Sequence, residues 1–171
     1  MYNIAMKALI YTDGSSRGNP GSGAYAFLVK TDTNIYEEAK QYDNVTNNQM
    51  ELSAILKSLE YIKDKNYSDV LIKSDSEYAV KGINVWLAGW KRNGWKTSTK
   101  KEVKNQDLWF KIDGTINEIR SKNTTLSFEH VLGHNGEKYN ERVDQLCTSF
   151  ATGKPLDLYD GSVEGHNELL G

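Results

Sequence analysis

Apolar residues fall along the chain with two different periods, and the switches between them predict its elements. Residues 6–13 alternate loosely and run into a turn-rich stretch, TDGSSRGNPGSG (12–23). Residues 21–30, with Tyr25, Phe27 and Val29 at alternate positions, predict a second strand. Residues 35–42 predict a third, more polar strand suited to a solvated sheet edge. The Gly-rich turn and the short spacings predict consecutive antiparallel pairing. From 48 to 65 the period changes: Leu52, Ile55, Leu56, Leu59 and Ile62 recur at three and four, one face of a helix. DVLIKSD (69–75) is a short β-branched run and predicts a buried strand. Residues 76–87 predict a helix and 89–104 an irregular segment. Residues 107–122 predict another helix, carrying Leu108, Phe110, Ile112, Ile116 and Ile119, with Gly114 as its weak point. A last strand is predicted over 124–132 and a last helix over 137–151, stopped by Gly153 and Pro155.

Strand–helix–strand units require parallel pairing and right-handed crossovers. The expected fold class is therefore α/β: a mixed five-stranded sheet, three antiparallel strands and then parallel ones, with helices on both faces. At 171 residues the chain suits one domain with one core. We expect that domain over 1–152 and a loosely held tail over 153–171. Apolar and charged residues stand at 38% and 26%, which excludes disordered and fibrous classes. Cys147 is the lone cysteine and can form no internal disulfide. Residues 1–7 lack a signal-peptide core and no apolar run reaches membrane length, so a soluble cytoplasmic protein without a membrane partner is expected.

The net charge of −2 announces no polyanionic partner, but its distribution is uneven. Lys91, Arg92, Lys96, Lys100, Lys101 and Lys104 face a single acid, Glu102, in one short stretch. Beyond Lys154 only acids follow: Asp157, Asp160, Glu164 and Glu168. Taken alone, the basic stretch is equally a solvated loop or a phosphate-binding patch.

Four carboxylates fall where elements are expected to begin or end: Asp13, Glu51, Asp75 and Asp144. In a sheet with a parallel part, strand ends and helix starts can converge on one edge, where ligands usually bind. Clustered carboxylates repel and ionise together only with cations present. Oxygen ligands favour Mg²⁺ or Mn²⁺ over Zn²⁺. Spacing alone does not decide the matter. Asp13 and Asp75 can be turn residues, Glu51 can favour a helix dipole, and Asp144 can be an exposed helix residue.

The segments around these acids resemble the bacterial type-1 ribonucleases H. The matching segments are TDGSSRGNPGSGAYA (12–26), TNNQMEL (46–52), SDSEYAVKGI (74–83), GWKTSTKKEVKNQDLW (94–109) and GHNGEKYNERVDQL (133–146). They occur in family order between residues 10 and 151. The resemblance implies a magnesium-dependent endonuclease that hydrolyses the RNA strand of RNA–DNA hybrids and leaves 5′-phosphate and 3′-hydroxyl ends. It implies two Mg²⁺ ions per site, with Mn²⁺ as a substitute, held by Asp13, Glu51, Asp75 and Asp144. His134 matches a loop histidine that assists proton transfer or product release, work that suits an imidazole. Ser16, Asn19, Asn47, Asn48 and Glu77 match positions near the RNA strand. Amides and turn backbone can both donate to and accept from a 2′-hydroxyl. Asn47 and Asn48 are also natural helix caps. Glu77 stands where the family often has an amide, which puts its contact to the 2′-hydroxyl in doubt. Thr46 matches a phosphate-binding position.

Residues 82–104 match a basic protrusion that grips the DNA strand. Its implied contacts are Trp86, Lys91, Arg92, Lys96, Lys100 and Lys101, with Trp109 just beyond, while Trp90 and Trp95 form its small hydrophobic core. No separate hybrid-binding domain is visible, so a self-sufficient monomer without an obligatory protein partner is expected. Three rival readings are a hybrid-binding module without activity, a different nuclease or recombinase of the wider superfamily, and a structural α/β domain whose acids are surface decoration. The four family carboxylates argue against the first, TNNQMEL, GHNG and the basic protrusion against the second, and the five ordered matches against the third.

Overall fold

The computed structural model describes residues 5–133 and 136–171. Three antiparallel strands lead: β1 (Met6–Ser16), β2 (Gly21–Lys30) and β3 (Asn34–Val45). Helix α1 (Asn47–Ile62) then crosses to β4 (Tyr67–Ser74), which pairs parallel to β1. Next come α2 (Glu77–Lys81), a π-helical turn (Gly82–Trp86), α3 (Leu87–Arg92) and α4 (Gln106–Ser121). They lead to β5 (Thr125–His130), parallel to β4, and then α5 (Lys138–Ala151). The mixed sheet and the antiparallel-then-parallel order are as the hydrophobic periods predict.

The sheet has six strands rather than five, in the order β5-β4-β1-β2-β3-β6. The sixth is β6 (Asp160–Ser162), followed by α6 (Val163–Leu170). β6 pairs antiparallel with Asn34–Tyr36 of β3. Two expectations change as a result. The start of β3 is not a free edge, and much of the segment after residue 153 is folded against the sheet. A three-residue strand of Asp, Gly and Ser has no hydrophobic period from which to be read.

Strand alternation sends apolar residues to both faces. Ile10, Phe27, Val70 and Ile72 meet Leu52, Ile55 and Leu59 of α1 and Trp109, Ile112 and Ile116 of α4. Tyr11, Ala24, Leu28 and Ile35 meet Val143, Leu146 and Cys147 of α5 on the other side. β2 is buried on both faces because it lies between these two layers. Among the described residues no helix is long and apolar enough to cross a membrane.

Glu37 of β3 is buried against α5 and α6 (2% exposed). Its two oxygens accept from Arg142 Nε at 2.8 Å and Nη2 at 2.9 Å. His166 Nε2 lies 2.6 Å from Oε1. Burial pushes the Glu37 carboxyl up, but hydrogen bonds from Arg142 and His166 outweigh it and hold it below its ordinary range. The stability that follows is therefore present above the unfolded value of about 4.3 and lost as pH falls through the lower folded value. Glu37→Gln leaves Arg142 buried without its counter-charge and should cost about 3–5 kcal/mol near neutral pH. It should also flatten the acid limb of the stability curve. Urea melts at neutral and acid pH check both points, and an unchanged neutral midpoint would show that the pair contributes nothing net.

Candidate active site

Period-two alternation settles the direction of two of the four carboxylates. Asp13 follows Tyr11 and Asp75 follows Lys73 at even spacing, and Tyr11 packs on the α5 side, so both acids face α5. They sit where β1 and β4 stop pairing, at Thr12↔Ser74. Asp13 is still inside β1 and opposes Ala26 of β2; Asp75 follows the last residue of β4. Glu51 reaches the same place from α1. It stands in the second turn, not the first, and the first turn holds no acid. Asp144 lies midway along α5 rather than at its start.

Ligand atoms of Asp13, Glu51 and Asp75 all lie within 4.8 Å of one another. Asp144 is not part of that trio, but its charge reaches both Asp13 and Glu51. Asp13 and Glu51 are buried, Asp75 is half-buried. Burial first, and then the neighbouring carboxylates, push both Asp13 and Glu51 far above their ordinary range. Among the described residues, Asp13 Oδ2 and Glu51 Oε2 are buried with no hydrogen-bond partner. A buried oxygen without a donor is costly, and a hard divalent cation satisfies several such oxygens at once. The donor set therefore fits a divalent metal.

Gly14 makes the trio possible and was not singled out from the sequence. A Cβ there would come within 2.1 Å of Glu51 N and of the Met50 carbonyl carbon. The α1 backbone can approach β1 only because that position has no side chain. The Gly14 backbone also offers hydrogen bonds to both Asp13 and Glu51. The signal was present in the sequence, a glycine directly after a strand-borne aspartate.

The RNA-side candidates form a connected rim. Asn47 N donates to Asn19 Oδ1 at 2.9 Å, and Ser16 N donates to Asn47 Oδ1 at 3.3 Å. These bonds stitch the turn after β1 to the start of α1. Helix capping falls to other residues than expected: Thr46 accepts from Gln49 N at 3.2 Å and donates its own N–H to Gln49 Oε1 at 2.9 Å. The side chains of Asn47 and Asn48 are thus not needed as the cap. Asn48 lines a cleft of about 340 Å³ with Tyr78, Trp90, Lys101 and Asn105. Glu77 is exposed and paired to Lys81 at 2.8 Å, and that bond lowers its carboxyl below the ordinary range.

Lys91, Arg92, Lys96, Lys100 and Lys101 are all exposed along the protrusion. Lys91 is partly engaged by Asp113 at 3.2 Å. Trp86 is partly exposed and leans on Trp90 with ring centroids 5.8 Å apart. Trp95 stacks on Phe110 at 4.3 Å, and Trp90 meets Trp109 edge-on at 5.2 Å. Trp109 corrects the expectation of a substrate contact: it is fully buried, 0% exposed, against Gly82 and Tyr78. Its indole fills the core beneath the protrusion and presents no surface to a ligand. His134 lies outside the described residues. Gly133 before it passes close to Asp75, since a Cβ there would lie 3.1 Å from Asp75 Oδ2. After the loop, Glu137 Oε1 accepts from Tyr11 OH at 2.7 Å and from Lys73 Nζ at 3.0 Å. That anchor was also missed, because no local period links residues 11, 73 and 137.

The raised carboxyls carry a stability consequence. A carboxyl whose folded value lies above its unfolded one contributes stability below about pH 4 and loses it as pH rises through the folded value. Asp13→Asn should therefore raise the melting temperature of the chelator-treated protein near neutral pH. The gain should be about 2–4 °C for each kcal/mol of relieved repulsion, and it should shrink toward pH 4. Calorimetry at the two pH values tests this, and equal melting near neutrality would contradict the crowding argument.

Known proteins resemble this chain in sequence and in fold. The family model for RNase H matches residues 5–152. A ribonuclease H from Cyanothece sp. is 40% identical over 150 residues, covering 87% of this chain and 92% of its own. One from Francisella tularensis subsp. novicida is 44% identical over 144 residues, covering 82% and 88%. In three dimensions, LC9-RNase H1, described as a type 1 RNase H with the type 2 active-site motif, superposes with a TM-score of 0.79 at 23% identity, over 99% of this chain and 82% of that one. With a family model spanning most of its length and relatives above 40% identity, the chain belongs to the ribonuclease H family.

Proposed function

We propose that this chain hydrolyses the RNA strand of RNA–DNA hybrids at the Asp13–Glu51–Asp75 cluster, with Asp144 completing the site. The products are a 5′-phosphate and a 3′-hydroxyl. The observation that carries the reading is the trio of ligand atoms within 4.8 Å, two of them on buried oxygens with no hydrogen-bond donor among the described residues. Two Mg²⁺ ions, or Mn²⁺ in their place, would supply an activated water and a stabilised leaving oxygen when bound. Asp13 and Glu51 supply charge from rigid positions, a β-strand interior and a helix interior, so little reorganisation accompanies ligand binding. Asp144 adds a fourth carboxylate from the α5 side. His134, by its place in the family motif, would assist proton transfer or product release.

Recognition of the substrate would divide between two surfaces. The rim of Ser16, Asn19, Thr46, Asn47 and Asn48 offers donors and acceptors that can read a 2′-hydroxyl and a phosphate. Glu77 offers no donor when ionised and is engaged by Lys81, which fits an electrostatic role better than contact with a hydroxyl. The protrusion offers Lys91, Arg92, Lys96, Lys100 and Lys101 to the DNA backbone, with Trp86 among them. No base edge is read in this scheme, so sequence preference should be weak. The domain over 1–152 carries these functions, and we expect the protein to act in the cytoplasm as a monomer without an obligatory protein partner.

Cleavage of a labelled RNA–DNA hybrid, beside RNA–RNA and DNA–DNA duplexes and with and without a chelator, tests the reaction. The hybrid alone should be cut, only with divalent metal, and Asp13→Asn should lower the rate by at least about 10³-fold while the protein stays folded. Retained cleavage by Asp13→Asn in Mg²⁺ would refute its ligand role. For the protrusion, changing Lys100 and Lys101 to Gln should weaken hybrid binding. The slope of log affinity against log salt should fall by about 1–2. An unchanged slope would show that neither lysine neutralises a phosphate.

A further inference from the structure

The family match stops at residue 152, but the chain goes on to build a structured segment that touches α5 at several points. Arg142 Nη2 donates to Asp157 O at 3.1 Å. Tyr159 N donates to Glu37 Oε2 at 3.1 Å, and Glu37 N donates to Tyr159 O at 2.8 Å. His166 is fully buried and its Nε2 lies 2.6 Å from Glu37 Oε1. An ionised carboxylate can only accept, so the ring nitrogen donates. The same ring packs on Tyr139 at 5.9 Å and edge-on against Tyr159 at 5.0 Å. Lys138 Nζ donates to Asn167 Oδ1 at 2.8 Å.

These contacts gather on one short stretch. Lys138, Tyr139 and Arg142 all lie in the first five residues of α5. Immediately before them Glu137 is tied to β1 and β4 through Tyr11 and Lys73. Two residues after Arg142 comes Asp144. Asp13 and Asp75 are carried by the sheet and Glu51 by α1, so Asp144 alone depends on where α5 sits. A helix moves as a rigid unit over two turns, so a shift of its first turn displaces Asp144 relative to the trio.

We infer that residues 157–170 are a strap that positions α5, and through it Asp144, with Glu37, Arg142 and His166 as positioning residues for the reaction. The inference rests on the proposed role of the carboxylate cluster. It extends that role to a segment outside the family match. A strap that only added stability would leave the folded site unchanged when loosened. A positioning strap would not.

The test uses the full chain. His166→Leu keeps apolar volume and removes the donor to Glu37. His166→Gln restores a side-chain N–H. Asn167→Ala cuts the exposed bond from Lys138 and carries little risk to folding. Each is assayed at a temperature where circular dichroism shows it folded. The readouts are kcat and KM on a labelled RNA–DNA hybrid in Mg²⁺, and amide hydrogen exchange across residues 138–144 without metal. His166→Leu should lower kcat about tenfold with KM within about twofold, since small misplacements at a site cost rate rather than binding. Its α5 amides should exchange about tenfold faster, and His166→Gln should recover most of both. Asn167→Ala should shift both in the same direction by less, and it decides the matter if His166→Leu does not fold. A folded variant with unchanged kcat and unchanged α5 exchange overturns the inference. If the unaltered chain cuts no hybrid, the functional reading fails instead, and the exchange data still decide whether the strap holds α5.

Discussion

Carboxylates repel, and here three of them are held with their oxygens inside 4.8 Å. That crowding sets the requirements for everything around it. A flexible loop would splay the groups apart into water, so two of the three are mounted on a strand and a helix interior. The helix can approach only where the strand has no side chain, at Gly14. Backbone N–H at Gly14 and the Cys147 thiol partly offset the charge at Asp13, yet burial and the neighbouring acids dominate. The cluster is a place of unfavourable electrostatics, which a bound divalent cation would relieve.

Helix α5 meets several parts of the molecule. One face closes the apolar layer over β1, β2 and β3 through Val143, Leu146 and Cys147. Its beginning is tied to the sheet by Glu137 and to the C-terminal segment by Lys138, Tyr139 and Arg142. Its middle carries Asp144. Apolar packing fixes its depth but resists sliding only weakly. The directional bonds in its first two turns supply what packing lacks, because a bidentate Arg142–Glu37 pair holds one geometry.

The protrusion separates packing from charge in a similar way. Trp90, Trp95 and Trp109 turn inward or against one another, with Gly82 leaving room for the Trp109 ring. The lysines and Arg92 are left outward on a supported surface. A tryptophan in a basic stretch reads equally well as a base-stacking or a packing residue, because both uses want a large apolar ring. For Trp109 only its burial distinguishes them.

Periodicity made five strands and the main helices legible, since each buries a stripe of side chains with period two or near 3.6. Local motifs made the four acids legible as a set, and the turn of Ser16 and Asn19 as their companion. Other features have no local signature. β6 is three polar residues that form a strand only because β3 offers unpaired backbone. Glu37 looks like a surface acid in a polar strand until Arg142 and His166 cover it. Glu137 looks like a helix-starting acid until Tyr11 and Lys73 reach it. By itself, then, the sequence determined the order of the first five strands and the main helices, the fold class and which acids form the candidate set, because these follow from side-chain types at short spacing. The tertiary structure alone decided which acids meet, which tryptophan is buried and what the last residues do, because those depend on contacts between residues far apart in the chain, which no local pattern encodes.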